Sequence, residues 1–412
     1  MKRREFLRFS VGGAVAVAAR GTFARTDSPA SRQGEGRIIE GFYPGNIVSL
    51  KDGSLLTDTW ERSTDGRLWI KGKSPLKSGQ VHGLIRLANG QIGYYTERGW
   101  SLPVALGNGT NSLQFYRSAD EGATWSAPTP INVAAPAMGL SGAIFVLRSG
   151  RVMIVTYSQF LPCEELWGGS WGTYKGIRVK TESEGHFAEM EAVKVYYSDD
   201  NGSTWRANDA WILGWHDEKY TDCFVEATGV ELRDGRVLLM GRSLNGRIYQ
   251  ATSSDQGMTW SYATPTDLMT SDSPCYLTRF PVSGDLLLVW NQISREENRK
   301  GFRRSRLSAA VSPDDGRTWT HFKTIEHGGI PAVGQIPPDP DLSPVWGDDE
   351  VGELPEDYAL FHYPTVSHVG DDVYVSYLTD YFGLGNDVSG LRLVRERTGK
   401  MTRVLPRTWF YS

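Results

Sequence analysis

The sequence predicts an all-β fold, a six-bladed β-propeller whose blades are four-stranded antiparallel sheets with Asp-box turns. Two interleaved repeats support this prediction. The first is an eight-residue turn of the form Ser-x-Asp-x-Gly-x-Thr-Trp, which occurs at 118–125, 198–205, 253–260 and 312–319. The second is a hairpin of two apolar runs, which recurs six times. Repeats of short strands are typical of a radial architecture, and long amphipathic helical periods are absent.

The residues of the eight-residue turn have structural roles. The Asp side chain accepts hydrogen bonds from N–H groups of its own turn, and the Gly adopts the positive φ that closes the turn. Thr and Trp then begin a strand, where the Trp ring buries a large apolar surface. We therefore expect these residues to shape the fold rather than to carry chemistry.

Six hairpins define the six predicted blades. Most join their two apolar runs by Asp-Gly, Asn-Gly or Ser-Gly, which is a strong hairpin signal. In blades two to five the next strand ends in an Asp-box, whereas the first blade keeps a shortened turn from Ser63 and the last blade has none. Either chain terminus could supply the strand that closes the ring. The hairpins begin at Asn46, Gly83, Gly142, Gly229, Tyr276 and Pro364.

The N-terminus predicts export. Three basic residues from Lys2 precede a short, weakly apolar run and a small-residue cleavage site at 22–24. This is the pattern of a signal peptide, and the apolar run is too short for a membrane span. The segment Arg3-Arg4-x-Phe6-Leu7 resembles a twin-arginine signal. We predict a signal peptide over 1–24, a linker over 25–40, the propeller over 41–412, and a periplasmic or extracellular location in a bacterium.

Composition narrows the function. A net charge of −4 and scattered basic residues argue against a nucleic-acid partner, and nothing after the predicted signal resembles a membrane-spanning helix. Cys163, Cys223 and Cys275 form neither a disulfide framework nor a metal-binding pattern, so we expect no metal and no cofactor. Two long inserts, 161–190 and 328–357, favour binding loops or lids, although the second could be an acidic surface flap.

A polar ring is expected at one rim of the propeller, because the first strands of all blades begin there and the second strands end there. Two carboxylates, an Arg and three tyrosines in this ring predict a polar ligand site. The residues just before the first strands are Tyr43, Gln80, Leu140, Glu226, Cys275 and Tyr363. The residues seven positions beyond the hairpin Gly are Trp60, Glu97, Tyr157, Arg242 and Asn291.

Three segments resemble the sialidase (neuraminidase) superfamily, whose members carry BNR or Asp-box repeats. The segment EATGVELRDGRVLLMGR is similar to the one that supplies a catalytic Glu and, sixteen residues later, a carboxylate-binding Arg; here these are Glu226 and Arg242. Arg304 lies eight residues before its Asp-box, where the family has another Arg of that cluster. Tyr363 lies nine residues before a turn Asp, as the family's nucleophilic Tyr does. The resemblance implies a Tyr363 nucleophile, a Glu226 base and an Arg clamp.

The chemistry of these residue types agrees with that implication. A sialic acid carries a carboxylate on its anomeric carbon, which would repel a carboxylate nucleophile, whereas a neutral Tyr hydroxyl activated by a Glu avoids the repulsion. Guanidinium groups bind a sugar carboxylate through paired hydrogen bonds. Structural roles are the alternatives: a packed aromatic for Tyr363, an ion pair between blades for Arg242, and a solvated basic edge strand for Arg304.

The first blade departs from the family pattern. The segment Tyr43-Pro44-Gly45 lacks the Arg that the family has there, so an acidic sugar other than a standard sialic acid is an alternative ligand. Asp65 is the candidate for the family's acid/base Asp, although it also fits the shortened turn. Glu97 and His82 are further candidates for proton transfer. We predict substrate contacts from Arg242, Arg304, Glu97, His82, Tyr43 and Asn291.

Together these residues predict a secreted exo-glycoside hydrolase, similar to exo-α-sialidases, that removes a terminal acidic sugar by a retaining Tyr/Glu mechanism. Its partner would be a glycan or glycoconjugate. Two alternatives stay open. One is a carbohydrate-binding propeller without catalysis, and the other is a lyase or hydrolase acting on polysaccharides that contain uronic acids or deoxysugars.

Overall fold

The structure is a computed structural model. It describes residues 36–76, 82–98, 112–132, 137–165, 170–180, 186–214, 224–345, 348, 350–387 and 390–412. The predicted signal peptide, most of the predicted linker, Gln80 and Cys223 lie outside these residues.

Six four-stranded antiparallel sheets make up most of the described chain. The first contains β2 (Ile47–Ser49), β3 (Leu55–Thr57), β4 (Glu61–Ser63) and β5 (Ile70–Lys71). The second contains β6 (His82–Arg86), β7 (Ile92–Arg98), β8 (Ser112–Ser118) and β9 (Thr129–Pro130). The third contains β10 (Met138–Val146), β11 (Val152–Glu165), β14 (His186–Ser198) and β15 (Arg206–Ala207).

The other three sheets follow the same order. The fourth contains β16 (Val225–Glu231), β17 (Val237–Arg242), β18 (Arg247–Ser253) and β19 (Thr264–Met269). The fifth contains β20 (Tyr276–Arg279), β21 (Leu286–Trp290), β22 (Arg306–Ser312) and β23 (Thr320–His327). The sixth contains β25 (Ala359–Val369), β26 (Asp372–Asp387), β27 (Gly390–Pro406) and β1 (Arg37–Glu40).

Residues of the two long inserts pair with each other. They form a three-stranded sheet, called the insert sheet below, of β12 (Trp171–Tyr174), β13 (Ile177–Lys180) and β24 (Glu350–Leu354). β12 is antiparallel to β13 and parallel to β24. The apolar side of the insert sheet packs on Tyr358 and Phe382, beside the sixth sheet. The inserts are therefore attached to the rim at which the second strands end.

Helices are few in the part of the chain that the structure describes. The short helix α1 (Arg295–Arg299) begins at a capping box formed by Ser294 and Glu297, and a 3₁₀ helix covers Arg407–Tyr411. Among these described residues no helix has the length and apolarity needed to cross a bilayer.

The sixth sheet joins the first described residues to the last ones. β1 pairs with β27, with Arg37 opposite Val404 and Glu40 opposite Met401. Ile38 and Ile39 are buried in this pairing, which explains why the stretch is a strand. Residues 37–40 were predicted to belong to the linker, and the structure corrects that boundary.

The Asp-containing turns hold the outer strands of four sheets together. The carboxylate of Asp120 accepts hydrogen bonds from the Thr124 amide and the Ser118 hydroxyl, both at 2.8 Å. Gly122 closes the turn with a φ of 83°, and its carbonyl accepts a bond from the Trp125 indole at 3.2 Å. Corresponding bonds are made in the other three turns by Asp200, Asp255 and Asp314.

The first strands of the six sheets lie next to one another in chain order. Each first strand contacts the first strand of the following sheet, and β25 of the sixth sheet contacts β2 of the first. The predicted all-β class is thereby confirmed, and the arrangement is consistent with a β-propeller.

Alternate sheets meet at the centre of this arrangement. The Asn46 amide donates to the Tyr276 hydroxyl at 3.3 Å, and the Tyr276 hydroxyl donates to the Gly142 carbonyl at 3.0 Å. Gly142 has a φ of 78°, and a Cβ on it would lie 2.8 Å from the Gly45 carbonyl oxygen. Only glycine permits this approach. The first, third and fifth sheets therefore close the centre together.

Candidate active site

The segment Tyr43–Asn46, which precedes β2, ties the first sheet to the sixth. The Tyr43 hydroxyl donates to the backbone carbonyl of Tyr363 at 2.7 Å, and the Thr365 hydroxyl donates to the Pro44 carbonyl at 2.7 Å. The amides of Gly45 and Asn46 donate to the carboxylate of Asp58 at 3.0 and 3.2 Å. This hub segment is the place where the sialidase resemblance expects an Arg.

Asp58 also contacts His82, the first residue of β6. The Nδ1 atom of His82 lies 3.0 Å from Asp58 Oδ2, and the exposed fractions of the two side chains are 14% and 0%. Burial would lower the pKa of His82, but the charge and hydrogen bond of Asp58 outweigh it and raise that pKa above its usual value. The structure thus places His82 on a buried carboxylate beside the hub segment.

Glu226 and Tyr363 share an unusual backbone geometry. Their φ angles are 49° and 50°, in the left-handed region that non-glycine residues seldom adopt. Both lie at irregularities in strand pairing, between Val225 and Thr228 in β16 and between His362 and Thr365 in β25. Such bulges redirect side chains and are frequent beside active sites.

The Tyr363 ring reaches from the sixth sheet towards the third and fourth. Together with Tyr157, it packs against an apolar cluster that includes Phe224 and Ala227. These two residues flank the pair Val225 and Glu226 in the chain. Burial and the charge of Glu226 raise the pKa of Tyr157, and the Tyr363 phenol adds to this effect. Glu226 and Tyr363 therefore belong to one cluster of side chains.

Arg242 lies between two buried carboxylates. Its Nη1 donates to Glu226 Oε2 at 2.8 Å, and its Nε donates to Asp272. Burial opposes the charged form of Arg242, but Asp272 and Glu226 outweigh burial and raise its pKa. Its Nη2 makes no hydrogen bond within the described residues, which leaves one edge of the guanidinium for a ligand.

Arg304 lies over the Tyr363 ring, with its Cζ 5.5 Å from the ring centre. Its Nη2 donates to the backbone carbonyl of Asp272 at 3.1 Å. Only 3% of Arg304 is exposed, so the alternative of a solvated basic edge strand is wrong. Arg303 adds a third guanidinium, 3.4 Å from Asp272 Oδ2.

The His362 imidazole orients the guanidinium of Arg304. Arg304 Nη1 lies 3.0 Å from His362 Nδ1, and because a guanidinium can only donate, Nδ1 must accept. The imidazole proton is then on Nε2, which lies 3.0 Å from Asp380 Oδ2. Asp380 is in β26, two residues before Phe382, which packs under the insert sheet.

Asn291 and Tyr43, both predicted to contact substrate, form hydrogen bonds to the protein backbone. Asn291 is fully buried, and its amide nitrogen donates to the carbonyls of Arg304, Arg306 and Phe361. It holds the backbone of Arg304 against β25. The Tyr43 hydroxyl is likewise engaged by the Tyr363 carbonyl. Asn291 thus positions the backbone of Arg304, the predicted clamp residue, and Tyr43 positions that of Tyr363, the predicted nucleophile.

Glu97 is a buried carboxylate at the end of β7. It is 3% exposed, and neither carboxylate oxygen has a hydrogen-bond partner of good geometry among the described residues. Burial raises the pKa of Glu97 to about 7, and the Gly139 amide offsets that only in part. No described contact joins Glu97 to Glu226 or Tyr363.

Asp65 lies in the shortened turn between β4 and β5. Its Oδ1 accepts hydrogen bonds from the amides of Arg67 and Leu68 at 2.8 and 3.0 Å. These bonds lower the pKa of the exposed Asp65 carboxyl. The structure does not bring Asp65 to Tyr363, so its predicted acid/base role has no geometric support.

Three functional candidates were missed from the sequence. Asp58 lies five positions beyond the hairpin Gly53, whereas the other sheets suggested the seventh position, which is Trp60. β3 has only three residues, so the second strand ends earlier, and Trp60 is a buried core residue. Asp272 and Asp380 gave no local signal, because their partners lie 30 and 18 residues away along the chain.

Comparisons with known proteins identify the family of this chain. The family of BNR repeat-like domains matches residues 97–375. A sialidase of Micromonospora viridifaciens is 33% identical over 151 residues, which are 34% of this chain and 21% of that protein. The chain therefore spans about a fifth of the length of that curated relative.

Among solved structures, a protein of unknown function from Dyadobacter fermentans covers 89% of this chain and 96% of its own, at 16% identity and a TM-score of 0.50. This likeness concerns the fold alone. The NanB sialidase of Streptococcus pneumoniae covers 93% of this chain and 51% of its own, at 15% identity and a TM-score of 0.40. An α-L-arabinanase of Penicillium chrysogenum covers 89% of this chain and 93% of its own, at 13% identity and a TM-score of 0.45.

Proposed function

Since this chain belongs to the BNR repeat-like family of the sialidase superfamily, we propose that it is an exported exo-glycoside hydrolase that removes a terminal acidic sugar with retention of configuration. The single observation that carries this proposal is the pair of matching bulges at Glu226 and Tyr363. They direct a carboxylate and a phenol into one cluster that also contains Arg242 and Arg304.

The scaffold of the proposal is a closed ring of six blades. The contact between β25 and β2 and the pairing of β1 with β27 support it. In such a ring β1, from the N-terminal side, is the closing strand of the last blade. The Asn46, Gly142 and Tyr276 contacts would then form the floor of the site, which makes it a pocket rather than an open channel.

Tyr363 acts as the nucleophile and Glu226 as its base. Glu226 takes the phenolic proton as the Tyr363 oxygen bonds to the anomeric carbon, which gives a covalent glycosyl-enzyme. Arg242 contacts the Glu226 carboxylate at 2.8 Å, which orients it in a buried position. A neutral phenol avoids the repulsion that an anionic nucleophile would meet at a carbon bearing a carboxylate.

Arg242 and Arg304 bind the sugar carboxylate. The guanidinium groups of Arg242 and Arg303 contact the Asp272 carboxylate, and Arg304 donates to the Asp272 backbone carbonyl. Glu226 is a second acid of the cluster, in contact with Arg242. Guanidinium groups gathered in this way favour an anionic ligand. Because the hub segment has Tyr43 in place of the family's Arg, we propose that the carboxylate is held from the fourth and fifth sheets alone.

Hydrolysis of a panel of 4-methylumbelliferyl glycosides tests this function, with N-acetylneuraminic acid, ketodeoxynonulosonic acid and glucuronic acid as the sugars. The expected result is turnover of at least one member, with the first product anomer, observed by NMR, retaining the substrate configuration. Tyr363→Phe should lower kcat/KM about a thousandfold or more, whereas the exposed Tyr262→Phe should not. The proposal fails if the wild type cleaves no member or if Tyr363→Phe is fully active.

A carbohydrate-binding propeller is the second candidate. The carboxylate of Asp65, the residue at the place where the resemblance expects the acid/base group, accepts hydrogen bonds from its own turn, which favours binding without catalysis. Saccharide binding measured by calorimetry, without release of any aglycone from the same compounds, would favour this candidate over the hydrolase.

A further inference from the structure

The contact between Asp58 and His82 is not explained by packing. Asp58 is fully buried at the end of β3 and accepts three hydrogen-bonding contacts, from the Gly45 amide, the Asn46 amide and His82 Nδ1. A carboxylate held in this way accepts from Nδ1, which fixes the proton of the neutral ring on Nδ1. The second ring nitrogen, Nε2, has no hydrogen-bond partner within the described residues.

The structure offers a second buried histidine for comparison. His368 contacts the Thr278 hydroxyl at 3.3 Å and packs on the Phe280 ring, and burial lowers its pKa to about 4. His82 differs because a carboxylate supports its charged form. The charged groups that act on His82 are Asp58, which favours the imidazolium, and Lys400 and Lys71, which oppose it.

The backbone near Asp58 and His82 leaves no room for a side chain at Gly45. A Cβ on Gly45 would lie 2.5 Å from Asp58 Oδ2 and 3.3 Å from the His82 carbonyl oxygen. Only a glycine at this place lets the carboxylate approach the two amides. Two residues earlier, Tyr43 holds the Tyr363 backbone. A segment of four residues therefore fixes His82 and the proposed nucleophile relative to each other.

We propose that His82, oriented by the buried carboxylate of Asp58, is the proton-transfer residue of this site and takes the role that the resemblance gives to an Asp of the first sheet. This inference rests on the hydrolase function proposed above. His82 is then the catalytic residue, and Asp58, which acts through it, is a positioning residue.

The proton balance of the two steps follows. In the first step the Tyr363 oxygen bonds to the anomeric carbon, Glu226 takes the phenolic proton, and the bond from that carbon to the aglycone oxygen breaks as His82 Nε2 protonates it. In the second step neutral His82 removes a proton from water as the water oxygen bonds to the anomeric carbon. The bond to Tyr363 breaks, and Glu226 returns the proton to its oxygen.

The test compares two glycosides of the sugar that the wild type cleaves best, one with a 4-nitrophenyl and one with a methyl aglycone. Loss of a general acid matters most for a poor leaving group. His82→Gln should lower kcat/KM on the methyl glycoside about a hundredfold to ten-thousandfold. It should lower kcat/KM on the nitrophenyl glycoside far less, because this constant does not include the hydrolysis of the glycosyl-enzyme. In the pH profile of kcat/KM for the methyl glycoside, the decrease towards alkaline pH (the alkaline limb) should disappear.

Asp58→Asn and His321→Gln complete the experiment. Asp58→Asn should move the alkaline limb to lower pH, because the imidazolium loses its carboxylate, while the limb persists. The exposed His321, which contacts the Tyr411 ring, is the matched control and should change neither substrate. Thermal unfolding of each variant identifies any loss that comes from misfolding.

The outcomes separate the two proposals. If folded His82→Gln affects both aglycones equally, or neither, the proton-transfer role is overturned and the hydrolase function stands. The same holds if its alkaline limb is unchanged. If the wild type cleaves neither glycoside, the hydrolase function fails, and the role of His82 fails with it.

Discussion

Glu226 and Tyr363 occupy matching bulges in the first strands of the fourth and sixth sheets, with φ angles of 49° and 50°. A non-glycine residue in this conformation costs about 1–3 kcal/mol. Neither residue is Asn or Asp, which tolerate it best. Packing of the first strands must therefore hold both residues in this conformation.

Asp272→Asn should lower the free energy of unfolding by about 3 kcal/mol, because the guanidinium groups of Arg242 and Arg303 would lose their shared buried carboxylate. Urea denaturation at pH 7 measures this loss. Asp267→Asn is the control, since Asp267 is 85% exposed and lies 3.5 Å from Arg247; it should change stability by less than about 0.5 kcal/mol. Equal losses in both variants would contradict the buried network.

The stability from Asp272 should depend on pH in a defined direction. Burial raises the pKa of Asp272, but the charge and hydrogen bond of Arg242 outweigh it and hold that pKa below its usual value. The folded state therefore binds this proton less readily than the unfolded state. The stability difference between the wild type and Asp272→Asn should be largest above about pH 4, the unfolded pKa, and shrink as pH falls through the folded pKa.

Glu97→Gln should stabilise the protein at high pH. The pKa of Glu97 is about 7 in the folded state, against an ordinary value of 4.5, so the folded state keeps a proton that the unfolded state releases. Stability is full below about pH 4.5 and is lost as pH rises through 7, with an upper bound of about 3 kcal/mol.

Melting temperatures of the wild type and Glu97→Gln at pH 5 and pH 8 measure this effect. The variant should gain on the wild type between the two pH values. The exposed Glu353→Gln is the control and should show no such difference. A constant offset between Glu97→Gln and the wild type at both pH values would contradict a buried neutral carboxyl.

His362→Phe should weaken substrate binding more than turnover. The imidazole accepts from Arg304 at 3.0 Å, so its loss frees the guanidinium from the geometry that receives the sugar carboxylate. We expect KM to rise about tenfold with a smaller change in kcat, as for an interaction made equally in the ground and transition states. Steady-state kinetics on the cleaved glycoside measure both constants, and a fall in kcat alone would contradict this role.

Lysine substitution of Arg3 and Arg4 should block export. The predicted signal begins MKRREF, and a twin-arginine signal is read by its receptor as an address. Fractionation of a bacterium that expresses the full chain measures the periplasmic and cytoplasmic shares. Arg8→Lys is the control, and export of the Arg3→Lys, Arg4→Lys double variant at the level of this control would contradict the prediction.

Much of the architecture could be predicted from local sequence. The Asp-boxes specify their own turns, because Ser118, Asp120 and Thr124 bond to one another within eight residues. Hairpin turns set the register of the first two strands. Counting along those strands predicted rim positions for Glu226, Arg242 and Tyr363. The hairpin of β16 and β17 brings Glu226 and Arg242 into contact, whereas Tyr363 lies within β25 and not before it.

Counting failed where a strand was shortened or a partner came from another sheet. β3 already ends at Thr57. The residue that contacts His82 after this strand is therefore Asp58, two residues before Trp60, which counting had indicated. The Asp65 carboxylate was free to satisfy its own turn instead of facing the centre.

The sequence by itself determined the class of fold and the kinds of side chain at the start of each first strand, because turn and strand chemistry act over a few residues. The tertiary structure alone decided which of these side chains meet. Asp58 and His82 are 24 residues apart, and Tyr43 and Tyr363 are 320 apart. Such pairs form only when separate sheets pack around one centre, which no local pattern encodes.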